Sequence, residues 1–379
     1  MRLLINFSPL KLGGGQNVGL NFINGLDTDR YPDIEFHFAV AHGSKIEAEL
    51  VKKGYRNIIS LPSSATRRIV CEITKENKYI RENKIDVVYS CFGHALIRRR
   101  VCQICGVADS NLLFPEIDFW EGYQGLSRVK KWLVDEYRKW GYRRAAGLVY
   151  ENAAMEERSK RIFGKEKDSI FIKPSFSIGI NNQECNIAVP SCKGYVNCLF
   201  LCGWQRNKGI LIIPEMVKVA TKKQLNMEFY ISANWDKSDQ VCAEFIKKAE
   251  QYNSLEHIHL LGRVDKSQIM DLYNKMDLVF LLSKLESFSN NIIEAWHYEK
   301  PLIIADEEWA HGICNDAALY VDRDSAENII DSIVAAMGSG TLDQLVEKGK
   351  QEFMTYPTVE EKVDAEIEYV KKVWRMDKI

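Results

Sequence analysis

Short apolar runs alternate with amphipathic stretches along almost the whole chain. In the first half the apolar runs are Arg2–Phe7, Glu35–Ala41, Asn57–Leu61, Val87–Ser90, Asn111–Phe114, Gly147–Tyr150 and Ile170–Lys173. Cys198–Cys202, Glu228–Ser232, Ile258–Leu261, Leu278–Leu282, Pro301–Ala305 and Ala318–Val321 follow in the second. Most are continuously apolar rather than alternating, as strands covered on both faces are, and the helical stretches between them supply the cover. The run ALIRRRVCQICGV around Cys102 and Cys105 reads as helix instead. Thirteen strands exceed one doubly wound sheet, and the stretch Ser175–Gly194 has no periodicity. The pattern therefore predicts two α/β domains of Rossmann-like form, residues 1–176 and 195–357, joined by a hinge at about 175–194. After Pro357, Thr358 and Glu361 form a capping box, and Val359, Val363, Ile367, Val370 and Trp374 make one apolar stripe. This last helix, residues 358–379, is expected to pack back on the first domain.

Composition changes the picture little. With 46% hydrophobic and 27% charged residues the chain is that of a globular protein, and no stretch approaches the roughly 20 apolar residues that span a bilayer. The start, MRLLINFSPLKLGGG, is too briefly apolar for a signal peptide and reads as a first strand. The ten cysteines are scattered, with no second pair at zinc-site spacing beside Cys102 and Cys105, so buried thiols in a reducing cytoplasm are expected.

Charge is more informative. A net −1 conceals 29 Lys and Arg against 21 Asp and Glu in residues 1–180, a balance of +8, with −9 in the remainder. A basic first half suits an anionic partner. The segment LSRVKKWLVDEYRKWGYRRAA concentrates the charge: Arg128, Lys130, Lys131, Arg138, Lys139, Arg143 and Arg144 surround Trp132, Tyr137 and Trp140. Basic helices with tryptophan suit anionic membrane surfaces, and Arg98, Arg99 and Arg100 would reinforce the attraction. The alternative is aromatic packing on the first domain with solvated cations. No RNA- or DNA-binding module is recognisable, so nucleic acid is not an expected partner.

The candidate chemistry lies at strand–helix junctions. The first strand leads to Gly13-Gly14-Gly15, where backbone N–H groups can approach a phosphate at a helix start. The spacing matches neither a P-loop nor GxGxxG. In the second half, CLFLC ends in GWQRNKG, placing Arg206 and Lys208 at a helix start as a diphosphate clamp. HIHLLGRVDKSQIMDLYNKMD follows, a strand, a Gly262 turn containing Val264, and a helix whose backbone can meet a nucleobase edge. Last, Glu286 lies in the loop after Leu278–Leu282; Phe288, Ser289, Asn290 and Asn291 fall where the next helix starts, and Glu294 lies one turn inside it. Free N–H groups at that start suit a diphosphate, and an ionised carboxylate accepts hydrogen bonds from vicinal hydroxyls. No Asp-x-Asp stands in a loop suited to a divalent metal ion.

The glycine loop, the KG turn, the G-x-V…LY…D segment, the Glu-x7-Glu run and the terminal helix, in this order, resemble the family-four retaining glycosyltransferases of GT-B fold. The resemblance implies two Rossmann-like domains facing across a cleft, and a nucleotide-diphosphate sugar as donor with no further cofactor. The sugar would pass to a glycan or polyprenyl-linked acceptor at the inner face of a membrane. It implies that Arg206 and Lys208 neutralise the diphosphate, that Glu294 holds the ribose and that Glu286 lies near the transferred sugar. It also implies that the N–H groups from Phe288 to Asn291 cradle sugar and phosphate, and that Gly14 or Gly15 approaches the phosphate from the other domain. Departures are visible: Trp204 follows the glycine where the family often has arginine, glycines are missing around Phe288, and no family histidine is evident in LLFPEIDFW. Glu116 and Asp118 are polar candidates there, and His94 is the nearest substitute. A GT-B-like epimerase or hydrolase, or a relative that only binds the nucleotide sugar, remains an alternative.

Overall fold

The computed structural model describes residues 1–11, 13–96, 101–164, 168–176 and 194–378. Most of the expected hinge, and Arg98, Arg99 and Arg100, lie outside the described residues. The chain divides into two compact units, Met1–Ser177 with Tyr356–Ile379, and Ile178–Thr355.

The first unit is built on strands β1 (Arg2–Asn6), β2 (Glu35–Ala41), β3 (Ile58–Leu61), β4 (Val87–Ser90), β5 (Cys102–Val107), β6 (Gly147–Tyr150) and β7 (Asp168–Phe171). The second carries β8 (Val196–Phe200), β9 (Met227–Ile231), β10 (Ile258–Leu260), β11 (Leu278–Leu281), β12 (Leu302–Ala305) and β13 (Leu319–Val321). The orders are β3-β2-β1-β4-β5-β6-β7 and β10-β9-β8-β11-β12-β13. Neighbouring strands in both sheets pair in parallel. Each is the doubly wound order in which the chain turns back once, at β1/β4 in the first unit and β8/β11 in the second.

The strand pattern predicted from sequence matches the structure to within two residues at each end, with one exchange. Asn111–Phe114 is not a strand: Ser110–Leu112 forms a single 3-10 turn. The strand at that point in the order is β5, in the segment read as helix. Every residue of β5 is buried, and a short apolar run buried on all sides carries no periodicity to separate strand from helix. Its one polar side chain, Gln103, is satisfied by the backbone of Leu96, accepting from its N–H at 2.7 Å.

The last helix, Val359–Asp377, starts at the expected capping box and packs within the first unit against the helix Gly13–Gly25. The approach is close: a Cβ on Gly25 would sit 2.8 Å from the Val359 carbonyl oxygen. Tyr369 accepts the Leu148 N–H at 3.2 Å. Lys362 is buried, paired with Glu151 just beyond β6 and with Glu366 at 3.4 Å. Burial raises the Glu366 carboxyl above its ordinary range, with Lys362 opposing. The trio pins helix to sheet because either carboxylate without the ammonium would be a buried, uncompensated charge. Lys362→Ala is expected to lower the unfolding free energy of the first unit by roughly 3–5 kcal/mol. Thr358→Ala, which removes only the cap, is expected to cost about 1 kcal/mol. Urea titration of the two variants at neutral pH measures both.

Candidate active site in the second unit

Loops from the ends of β8 and β11 meet at the turning point of the second sheet, the place where open parallel sheets hold ligands. After β8 a 3-10 turn, Arg206–Lys208, ends at Gly209, whose φ is +69°. A Cβ there would lie 2.4 Å from the Leu282 carbonyl oxygen, so only glycine lets the two loops press together. Asn207 ties them further. Its carbonyl accepts from the Lys284 N–H at 2.7 Å, its Oδ1 accepts from the Leu285 N–H at 3.1 Å, and its Nδ2 donates to the Leu285 carbonyl at 2.9 Å. This register sets Lys208 against Glu286, and the two side chains form a half-buried ion pair.

Ser289 is the N-cap of the helix Asn290–His297, in extended conformation and without a side-chain capping bond. Asn291 Nδ2 donates to the Leu201 carbonyl at 3.1 Å, anchoring that helix start to the end of β8. Phe288 and Ser289 are half-buried and Asn290 is exposed. One turn on, Glu294 accepts from the Tyr273 hydroxyl at 3.1 Å. Burial raises the Glu294 carboxyl above its ordinary range, while Tyr273 and then Lys266 oppose the rise. The buried Ser283 hydroxyl has no hydrogen-bond partner among the described residues. After the edge strand β10, the Gly262 turn holds Val264 half-buried. A Cβ on Gly262, whose φ is +71°, would meet Asn234 Oδ1 at 2.8 Å. Trp204, standing where arginine was expected, donates its indole N–H to the Asn234 carbonyl at 2.6 Å and stacks on Trp235 at 6.1 Å.

The structure thus pairs Lys208 with Glu286 across the two loops, ties Asn291 at the helix start to the end of β8, and sets Glu294 against Tyr273. Arg206 turns to Glu244 in an ion pair whose partners are both more than a third exposed, a kind of pair that contributes little. Asn207, Asn234 and Tyr273 were not singled out from sequence. Their roles are bonds to loops distant in the chain, which composition and spacing do not encode.

In the first unit Gly13 opens the helix Gly13–Gly25 with φ +63°, and a Cβ on Gly13 or Gly14 would meet nothing within 4 Å. Gly15 is more confined, since a Cβ there would lie 3.2 Å from Leu10 Cδ2. His94, after β4, packs edge-on to Tyr137 at 4.8 Å, and its buried Nε2 has no hydrogen-bond partner among the described residues. Burial, then Arg138 and Arg68, push its pKa down to about 4, so the ring is neutral at neutral pH. Arg68, itself paired with Glu72 at 3.2 Å, also lies near Lys11, whose pKa burial and Arg68 lower. Glu116 and Asp118 are engaged by Arg158 and Arg128, at 2.6 and 2.9 Å.

Residues 205–352, all within the second unit, match the model of the family described as Glycosyl transferases group 1. A search of curated proteins by sequence finds no match. Among solved structures the chain is similar to the sucrose-phosphate synthase of Thermosynechococcus elongatus, with a TM-score of 0.73, 12% identity and coverage of 99% of this chain and 100% of that one. It is similar to a glycosyltransferase of Rickettsia africae, with a TM-score of 0.70, 14% identity and 98% of each chain covered. The Anabaena protein HepE, solved with UDP and glucose, gives a TM-score of 0.63 at 14% identity over 98% of this chain and 100% of that one. The fold is GT-B, two Rossmann-like domains each with its own parallel sheet.

Two outcomes test the local physics. Gly209→Ala should destabilise the second unit by about 1 kcal/mol or more, through backbone strain and the clash with Leu282, measurable by thermal unfolding. Glu294 has a raised folded pKa, so the folded state holds its proton more tightly than the unfolded chain. Its burial therefore weakens stability as pH rises from the ordinary carboxylate range through the raised value. Glu294→Gln should remove that decline and leave the protein at least as stable at about pH 7 as the parent, while matching it more closely near about pH 4.

Proposed function

We propose that the chain is a retaining glycosyltransferase that moves a sugar from a nucleotide-diphosphate sugar to a hydroxyl of a glycan or polyprenyl-linked acceptor. The observation that carries this reading is the meeting of Lys208, Glu286 and the Asn290 helix start at the turning point of a sheet within a group 1 glycosyltransferase domain. HepE, of the same fold, was solved with UDP and glucose, which supports a nucleotide sugar as the ligand class.

In this reading the nucleotide lies against the Gly262 turn and Val264, the ribose hydroxyls donate to Glu294, and the diphosphate sits at the helix start from Phe288 to Asn291. Lys208 and Arg206 offset the charge that develops on the leaving diphosphate, so no metal is required. Arg206 exchanges its exposed pairing with Glu244 for the phosphate at small cost. Glu286 orients both the Lys208 ammonium and a sugar hydroxyl, and is not assigned as a nucleophile. Attack comes from the face that the leaving phosphate vacates, with that phosphate taking the acceptor proton, which retains configuration. His94, neutral and with a buried Nε2 that has no hydrogen-bond partner among the described residues, is the first unit's candidate to meet the acceptor, and Gly14 and Gly15 leave room for phosphate there. The acceptor chemistry is that of cell-surface polysaccharide synthesis at the cytoplasmic face of a membrane.

Differential scanning fluorimetry with UDP-, GDP- and ADP-sugars is expected to single out one nucleotide by a raised melting temperature, because a ligand of the folded state stabilises it. No shift with any of them would remove the donor assignment. Lys208→Ala and Glu294→Gln should each lower transfer at least about 100-fold with the fold intact, the scale seen when one preorganised electrostatic partner is lost. Near-parental turnover by either purified variant overturns that residue's role.

A further inference from the structure

The helix Gly125–Arg144 wears its apolar stripe on the outside. It is held inward by Tyr137 against His94 and by polar groups: Asp135 accepts from Asn111 Nδ2 at 3.0 Å and from the Trp120 indole at 2.6 Å, and pairs with Arg138. Tyr142 is buried and donates to Asp109 at 2.7 Å. Leu126, Val129, Leu133 and Trp140 recur at helical spacing on the opposite side, with Trp132 beside them, and all five are exposed. Leu126 is 89% exposed and Trp132 59%, values that a surface helix ordinarily reserves for polar side chains. Isolated exposed apolar residues need no explanation, but a contiguous stripe on one helix face does.

The charges around the stripe are of one sign. Lys130 and Arg143 flank it with no acidic partner among the described residues, and Arg144 lies over the Trp140 ring at 4.8 Å. Lys131 sits over the rings of Trp120 and Tyr123 at 4.1 and 4.6 Å, so its charge is carried at the same end of the helix. The two acids of the helix are spent: Asp135 inside, and Glu136 on Lys139 at 2.9 Å. Arg128, paired with Asp118, Arg138, paired with Asp109 and Asp135, and Lys139, paired with Glu136, are the exceptions among the cations expected from sequence to face an anionic surface. Leucine, valine and tryptophan outward with a cationic rim is the pattern of a helix that lies in a bilayer interface. No helix among the described residues is long and apolar enough to cross a membrane.

We propose that this face of the first unit docks on an anionic lipid bilayer, the Leu126–Val129–Leu133 stripe entering the interface with Trp132 and Trp140 at headgroup level. Lys130, Arg143 and Arg144 supply the attraction to the lipid charge. The proposal is independent of the donor assignment, since it concerns a different unit and a different ligand.

The test is co-sedimentation of the full chain with phosphatidylcholine vesicles and with vesicles containing phosphatidylglycerol, at low and high salt. Binding is expected to the anionic vesicles, weakened by salt. Leu126→Ser with Leu133→Ser should lower partitioning at least about tenfold, because each removes an exposed apolar side chain that would be buried in the interface. Lys130→Glu with Arg144→Glu should lower it by about tenfold or more and abolish the preference for anionic lipid. These side chains are at the surface, so an unchanged melting temperature verifies the fold in each variant. No binding at low salt, or equal binding by the Leu126/Leu133 variant, overturns the proposal. So does concentration-dependent dimerisation without vesicles that the Leu126/Leu133 variant abolishes, which would assign the stripe to a second copy of the chain.

Discussion

A parallel strand cannot be joined to its neighbour by a tight turn, so each connection must cross back over the sheet, and every strand ends at the same edge. Both sheets of this protein obey that constraint throughout their pairings. Open parallel sheets hold ligands where the strand order reverses, which here falls at β1/β4 and again at β8/β11. In the second unit the residues with the most specific chemistry, Lys208 and Glu286, occupy the loops after β8 and β11. In the first unit the glycines after β1 and His94 after β4 occupy the equivalent ones. The topology thus decides where chemistry can sit before any side chain is chosen.

At the second unit's turning point, polar side chains fix the loops to one another. Asn207 and Gly209 bind the β8 loop to the β11 loop, and Asn291 binds the helix start to the end of β8. Lys208 and Glu286 are consequently held before any ligand arrives. Such preorganisation matters because a charge already in place needs no reorganisation when charge develops on a leaving group. Glu294 illustrates the cost. Its burial disfavours the ionised form, and the Tyr273 hydroxyl recovers only part of that loss, so keeping a carboxylate at this position costs stability.

The first unit is closed by the end of the chain. The terminal helix brings Lys362 to Glu151 and Glu366 in a buried cluster, while Tyr369 takes the Leu148 N–H. The same unit leaves the helix Gly125–Arg144 with Asp135, Tyr137 and Tyr142 inward and Leu126, Val129 and Leu133 outward, where folding alone would bury aliphatic side chains. A helix stabilised through Asp135 and Tyr142 can keep leucine and tryptophan at the surface because its attachment does not depend on them.

Strand periodicity, the capping box at Thr358 and the order of the KG turn and the paired glutamates are local patterns. They were legible in the sequence, and with them the fold class and the neighbourhood of the candidate site. The strand β5 was not, because a run buried on every side has no polar face to set its period. Nor was the engagement of Arg206 by Glu244 or of Arg128 by Asp118, since an ion pair depends on distances that spacing does not carry. The sequence showed tryptophans and cations on one helix; only the tertiary structure decided that Leu126, Val129 and Leu133 face outward with them. Which side of an amphipathic helix meets the core is a competition between its two faces. Here buried hydrogen bonds to Asp135 and Tyr142 prevailed over apolar burial.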